Sequence, residues 1–275
     1  MLRVLDQAND PGKGRDSEDR PGHRAADGIA WIIDGATDVC AGRLFPEAPS
    51  DAFWFADAAH ALLETLPPGP PGGVVAALID GLRDRVEAGT GAPVGRIPPG
   101  DMPSAALTLM QFDPDSQRLI FASLPDCTAI VLPAAGPAFA VEKAPPRLDE
   151  QDQARTLIAA GADIPAVLRS QRAMMNRPDG YPVLSVHPSA VEGLEVRTHD
   201  AASGTRVLLC TDGFYRLVDM YRLLDDEELI RSALDQGLAT LLRRLRGFEA
   251  DAAEDARYGR FKTSDDAAAL LVEIA

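Results

Sequence analysis

Three aspartates stand at the ends of apolar segments, where a carboxylate is held rigidly and a ligand can still reach it. Asp34 and Asp212 are each followed by glycine, and Asp265 precedes a second aspartate. Glycine beside a carboxylate lets a ligand approach the backbone closely. Hard cations such as Mg²⁺ and Mn²⁺ take oxygen ligands, and a pair of them is an established device for phosphate ester hydrolysis. The pattern is therefore consistent with a divalent-cation site. A single Asp-Gly pair is more often a plain turn.

The elements around these aspartates predict an α+β protein. Apolar runs predict strands, and apolar residues at helical spacing predict helices. Strands grouped around paired helices favour layers with antiparallel sheets. The predicted strands cover 29–33, 105–112, 119–124, 128–132, 139–141, 194–198, 206–210 and 267–274. The predicted helices cover 51–66, 75 to about 89, 148–160 and 227–245, and a helix and loop insertion is expected over 163–182.

Composition excludes several classes of partner. The chain has 42 acidic and 27 basic side chains, giving a net charge of −15, so we expect it to bind neither nucleic acid nor a membrane surface. Three widely spaced cysteines argue against disulfides and a zinc motif. The polar N-terminus predicts no signal peptide, and no apolar run approaches the ~20 residues of a membrane span. We therefore expect a cytoplasmic protein, and the oligomeric state is not readable from these features.

Six short segments stand in a fixed order along the chain, most of them joining a carboxylate to an apolar strand. They are 17–20 (Ser-Glu-Asp-Arg), 31–37 (Trp-Ile-Ile-Asp-Gly-Ala-Thr), 103–108 (Pro-Ser-Ala-Ala-Leu-Thr), 124–129 (Leu-Pro-Asp-Cys-Thr-Ala), 208–214 (Leu-Leu-Cys-Thr-Asp-Gly-Phe) and 264–269 (Ser-Asp-Asp-Ala-Ala-Ala). In this order and spacing they resemble the motifs of the bacterial-type, metal-dependent protein phosphatase 2C family of serine/threonine phosphatases. The segment 208–214 is the closest match.

The resemblance implies two divalent cations, Mn²⁺ or Mg²⁺, bound by residues from the whole chain. Asp34 would bridge the two metals, Asp212 and Asp265 would complete one site, and Glu18 with the backbone carbonyl of Gly35 would complete the other. The three aspartates would act in catalysis through metal-bound water.

Further residues match secondary positions of the family. Asp19 would hold metal-bound water from outside the ligand set, and Asp126 matches the position that can ligate a weak third metal. Pro125 stands where the family has glycine, so a turn or cap role for Asp126 is at least as plausible. The implied fold is a single catalytic domain over residues 1–275. It is a four-layer α-β-β-α sandwich of two antiparallel sheets flanked by helix pairs, with a flap-like insertion around 163–188.

The implied activity is hydrolysis of phosphoserine or phosphothreonine in a phosphoprotein by a metal-activated water. The alternative is a catalytically weak or inactive relative that serves as a binding or regulatory module. That alternative stays open because Gly14 stands where the family usually has a phosphate-binding arginine. Lys13, Arg15 and Arg20 are the candidate replacements, and solvated loop charges are the competing interpretation.

One basic patch is expected to have no part in the site. Arg243, Arg244 and Arg246 lie late in the predicted helix 227–245 and just after it. Cations near a helix C-terminus interact favourably with the helix dipole, so the patch is interpreted as a solvated helix face. Docking of an acidic partner is the minor interpretation.

Overall fold

Two antiparallel sheets of five strands each lie at the centre of the structure, a computed structural model that describes residues 1–14, 16–39, 42–141, 161–251 and 264–275. Sheet I has the strand order β1-β10-β9-β6-β7, and sheet II has the order β2-β3-β4-β5-β8. The strands are β1 (Leu2–Asp10), β2 (Arg20–Arg24), β3 (Ile29–Gly35), β4 (Ala105–Asp113), β5 (Arg118–Leu124), β6 (Thr128–Leu132), β7 (Phe139–Ala140), β8 (Glu195–Asp200), β9 (Arg206–Cys210) and β10 (Ala267–Ile274).

Helices cover the outer face of each sheet. The pair α1 (Asp51–Leu63) and α2 (Pro71–Thr90) packs on sheet II, and the pair α5 (Asp226–Gln236) and α6 (Leu238–Glu249) packs on sheet I. A helix in the insertion, α3, spans Ile164–Arg172, and a single turn, α4, spans Asp212–Tyr215 directly after β9. The predicted four-layer α-β-β-α sandwich is confirmed. Within the described ranges, none of the helices combines the length and apolar character needed to cross a bilayer.

The two faces of β3 show how a strand sequence builds these layers. Side chains alternate between the faces of a strand. Ile29, Trp31 and Ile33 therefore point toward α1 and α2, while Ala30 and Ile32 point toward sheet I. All five are buried. A continuous apolar run is what a strand between two cores requires, and this is why the sequence identified β3 correctly.

The predicted long helix over 227–245 is wrong, because two helices occupy this region. The first ends at Gly237, whose φ of 81° lies in the region that glycine tolerates best. The backbone N–H of Leu238 then donates to the Asp6 carboxylate at 2.7 Å, which caps the second helix from strand β1. The apolar spacing continues on both sides of the break, so the sequence showed one periodic segment.

Two edge strands were absent from the prediction, which placed the first clear strand at residue 29. β1 pairs with β10 at the edge of sheet I, and its alternating, partly exposed side chains form no apolar run. β2 contains Pro21 and Gly22, residue types that are depleted in strands but tolerated at a sheet edge. Gly22 lies against the ring of Trp31, where a Cβ would be 2.4 Å from the nearest ring atom.

The remaining predicted elements agree with the structure, with shifts of a few residues at their ends. β6, β9 and β10 match their predicted bounds, and β4 and β5 form the predicted hairpin. α1 begins where predicted, because the Ser50 hydroxyl accepts from the backbone N–H of Phe53 at 2.9 Å. The helix predicted over 148–160 lies outside the described residues.

Candidate metal centre

The three aspartates at strand ends lie at one end of the two sheets. β9 and β10 are antiparallel neighbours with Cys210 opposite Ala269. Asp212 follows β9 and Asp265 precedes β10, so both lie at the same end of sheet I. Asp34 is the penultimate residue of β3 in sheet II, and the charges of Asp212 and Asp265 both act on it. The site therefore spans both sheets.

The Asp34 carboxyl interacts with three other aspartates of the group. Burial raises its pKa well above the usual value, and the negative charge of Asp212 raises it further, followed by that of Asp19. A hydrogen bond between the Asp34 and Asp212 side chains and the charge of Asp265 act in the same direction. Carboxylates that repel one another in this way favour a shared proton or a bound cation.

Asp19 joins the same cluster from the loop before β2. Its side chain is 1% exposed, and its Oδ2 accepts a hydrogen bond from Thr211 Oγ1 at 2.8 Å. Burial raises the pKa of Asp19 well above its usual value; the Thr211 hydrogen bond opposes this shift, and the charges of Asp266, Asp212 and Asp265 add to it. Thr211 was not identified from the sequence, although it directly precedes Asp212.

Glu18 and Gly35 are held together by their backbones. The N–H of Gly35 donates to the Glu18 carbonyl at 3.2 Å, and a Cβ on Gly35 would lie only 2.8 Å from that oxygen. The N–H of Glu18 donates to Asp266 Oδ2 at 2.5 Å. The Ser50 hydroxyl, which caps α1, donates to Glu18 Oε1. A helix cap thus orients one of the predicted ligands.

Asp265 is held by an ion-paired network that the sequence analysis missed. Arg216 Nη2 donates to Asp265 Oδ2 at 2.8 Å, and Arg246 Nη2 donates to the Asp265 carbonyl at 2.8 Å. Glu249, 3% exposed, lies between the two arginines. The interpretation of Arg246 as part of a solvated face is wrong, because its guanidinium also binds Asp10 at 2.8 Å. In the sequence, the signal that could have identified Arg216 is its position four residues after Asp212.

The candidate phosphate-binding residues differ in how they are placed. Arg20 Nη1 donates to the carbonyls of Ser17 at 2.6 Å and Asp19 at 2.7 Å, so it braces the loop that carries Glu18. Lys13 is exposed. Arg15 lies outside the described residues.

The insertion contacts the loop that follows Asp34 and Gly35. Arg172 of α3 donates to the carbonyls of Ala36 at 3.2 Å and Thr37 at 2.7 Å. Asp126 is exposed in the turn between β5 and β6, and its charge acts on Tyr181 of the insertion. The structure therefore places Asp126 beside the insertion.

The donor set has the chemistry of a hard-cation site. Within the described ranges, no group of three or more His, Cys, Asp or Glu side chains is placed so that it could hold a metal ion as it stands. The gathered groups are nevertheless carboxylates that raise one another's pKa values, and a hard divalent cation binds such oxygens and neutralises their charge. Carboxylate side chains can reorient through two torsions when a cation binds. The residues present fit a divalent cation.

Comparison with known proteins yields one matching family. A family model described as Stage II sporulation protein E (SpoIIE) matches residues 138–275. This is just over half of the chain, and it includes Asp212 and Asp265. No curated protein sequence matches the chain.

Solved structures resemble the whole chain in fold. The photosystem II phosphatase PBCP has a TM-score of 0.60 at 14% identity, covering 100% of this chain and 99% of the other. The catalytic domain of the serine threonine protein phosphatase PstP, in complex with two manganese ions, has a TM-score of 0.55 at 18% identity, covering 99% and 97%. RsbX in complex with magnesium has a TM-score of 0.53 at 13% identity, covering 100% of both chains. At these identities the similarity shows the fold.

Proposed function

The chain belongs to the SpoIIE family of protein phosphatase 2C-like domains, and we propose that it hydrolyses phosphoserine or phosphothreonine in proteins with the help of divalent cations. The observation that carries the proposal is the crowding of Asp34 against Asp212, Asp19 and Asp265, which come from distant parts of the chain. Carboxylates that repel one another at a partly buried site destabilise the fold, and a bound divalent cation would offset that repulsion. We therefore infer that these carboxylates bind a divalent cation.

The candidate ligands divide into two groups that share Asp34. Asp212 and Asp265 would hold one cation with it, and Glu18 and the Gly35 carbonyl would hold the other. When bound, Mn²⁺ or Mg²⁺ lowers the pKa of a water molecule and neutralises charge on the phosphoryl oxygens. The two manganese ions of PstP and the magnesium of RsbX support this choice of metals.

The chain's own residues supply rigidity and acceptors for the reaction. Asp19, fixed by Thr211, offers a buried carboxylate that can accept a proton from water at the site. Lys13 and Arg15 are the proposed phosphate contacts, since Arg20 binds backbone carbonyls. We propose that residues 1–275 form one catalytic unit, with the insertion around 163–188 as a flap beside the site. We propose no essential part in metal binding for Asp126.

The test is hydrolysis of p-nitrophenyl phosphate and of a phosphothreonine peptide with Mn²⁺, with Mg²⁺ and with chelator. We expect metal-dependent turnover that Asp34→Asn and Asp212→Asn abolish. The control Asp235→Asn changes an exposed aspartate of α5 and should retain activity. Activity that survives the chelator would refute the proposal.

A second function, a phosphatase-like binding or regulatory module, is supported by two observations. Gly14 occupies the position of the family's phosphate-binding arginine, and Arg20 is engaged with backbone carbonyls. Mn²⁺ binding by calorimetry, without turnover of either substrate, would favour this module over the enzyme.

A further inference from the structure

A network of charged side chains from Arg216, Arg246 and Glu249 holds the segment that carries Asp265. Arg216 pairs with the Asp265 carboxylate at 2.8 Å and lies 3.8 Å from Glu249. Arg246 pairs with Glu249 at 2.7 Å and donates to the Asp265 carbonyl at 2.8 Å. Arg246 also pairs with the Asp10 carboxylate at 2.8 Å, so the network holds both the side chain and the backbone of Asp265 and ties them to β1.

We propose that Arg216 is a positioning residue for the metal centre, which fixes the Asp265 carboxylate so that a divalent cation binds it together with Asp34 and Asp212. This inference rests on the proposed function. Arg216 acts through Asp265, since its guanidinium is directed at that carboxylate. Its side chain is 11% exposed, which favours contacts within the protein over contacts with a substrate.

The short helix α4 explains why Arg216 suits this role. Asp212 is its first residue, and the N–H of Arg216 donates to the Asp212 carbonyl at 3.0 Å. Helix α4 thus begins with the candidate ligand Asp212. Arg216, which directly follows the helix, is the partner of the candidate ligand Asp265. The pair Arg216–Asp265 joins segments that are 49 residues apart, and fixes their relative position.

The close packing of the two segments depends on a glycine between them. A Cβ on Gly213 would lie 1.8 Å from the Asp266 carbonyl and 3.4 Å from Asp265 Cβ. The segment 264–266 therefore contacts the α4 backbone directly, and the arginine reaches Asp265 without an intervening side chain. A guanidinium is always charged and can form two parallel hydrogen bonds with a carboxylate, so it suits this site better than a lysine ammonium.

Calorimetric titration with Mn²⁺ tests the inference independently of turnover. Residues that orient metal ligands typically contribute roughly 10- to 100-fold to metal affinity, so we expect Arg216→Met and Arg216→Gln to weaken Mn²⁺ binding by that factor. Arg216→Lys should recover part of the affinity, because it keeps the charge but loses the planar fork. The matched control is Arg206→Met. It removes an arginine that pairs with Glu273 at 3.0 Å on the same sheet, and it should bind Mn²⁺ like the wild type.

Two further measurements separate positioning from a merely structural role. The rate of p-nitrophenyl phosphate hydrolysis by Arg216→Met should recover toward the wild-type rate as Mn²⁺ is raised, because only the metal affinity has fallen. Adding Arg216→Met to Asp265→Asn should weaken Mn²⁺ binding no further, since the arginine acts through that carboxylate.

The outcomes distinguish this inference from the proposed function. Wild-type protein that binds no Mn²⁺ would overturn both. If the wild type binds Mn²⁺ and Arg216→Met binds it equally well or more tightly, the inference alone is overturned. If Arg216→Met does not fold, Arg216→Gln is judged by the same criterion, and additive losses in the double variant would also overturn it.

Discussion

Thr211 Oγ1 donates a hydrogen bond of 2.8 Å to Asp19 Oδ2, and this contact joins the loop before β2 to the end of β9. Both side chains are buried. The same hydroxyl accepts from the backbone N–H of Ala268 at 3.0 Å. One threonine therefore satisfies a buried carboxylate and a buried amide at the junction of two chain regions that carry candidate ligands.

We expect Thr211→Val to lower the free energy of unfolding by about 1–3 kcal/mol, because it leaves buried polar groups without their partner. Urea denaturation in the presence of chelator measures the change. Thr211→Ser keeps the hydroxyl and should lose clearly less. Equal losses in the two variants would show that the hydroxyl contributes nothing.

Asp34→Asn should stabilise the protein in chelator while it abolishes Mn²⁺ binding. The pKa of Asp34 is raised in the folded state by burial and by neighbouring carboxylates. The folded protein therefore binds more protons than the unfolded chain above the unfolded pKa of 3.8, and stability falls as pH rises from there through the folded pKa. Asparagine does not titrate, so the variant should not lose this stability as pH rises.

The measurement for Asp34 is urea denaturation of wild type and Asp34→Asn at several pH values, always with chelator. The advantage of the variant should be absent below the unfolded pKa and should grow as pH rises through the folded pKa. Asp113→Asn is the control with the opposite sign: the pKa of Asp113 is lowered by hydrogen bonds with Ser116 and the Asp115 N–H, so this variant should lose stability relative to wild type as pH rises through the unfolded pKa. A variant whose advantage does not change with pH would contradict the cause assigned here.

Gly213→Ala should destabilise the protein and weaken Mn²⁺ binding, because its Cβ would lie 1.8 Å from the Asp266 carbonyl. Overpacking of this kind costs about 1–3 kcal/mol or more. Gly73→Ala is the control in helix α2, where a Cβ meets nothing within 4 Å, and it should keep or slightly raise the stability. Thermal unfolding and Mn²⁺ calorimetry give the two readouts, and a Gly213→Ala variant as stable as wild type would disprove the close contact.

Asp126→Asn should retain Mn²⁺ affinity and Mn²⁺-dependent activity, whereas Asp212→Asn should lose both. Asp126 is exposed and its charge acts on Tyr181, while Asp212 acts on Asp34 and Asp19. Calorimetry and hydrolysis of p-nitrophenyl phosphate compare the two variants. Loss of tight Mn²⁺ binding in Asp126→Asn would show that Asp126 takes part in metal binding.

Local pattern predicted the buried strands because their apolar runs are properties of the segments themselves. β3, β9 and β10 lie between two cores, so their continuous apolar sequences identified them. Edge strand β1 lies partly in solvent, and its sequence therefore carried no comparable signal. The break at Gly237 was hidden because the apolar spacing is the same in both helices, and the capping carboxylate of Asp6 comes from a strand more than 200 residues earlier in the chain.

The sequence by itself determined which carboxylates end apolar strands, and so which side chains are available to a cation. Only the tertiary structure decided which of them meet. Sheet register and the approach of the two sheets bring Asp34, Asp212 and Asp265 within electrostatic range and leave Asp126 beside the insertion. The pairing of Arg216 with Asp265 depends on the same geometry. Contacts between residues far apart in the chain form only when the strands between them have paired, and no local pattern records that pairing.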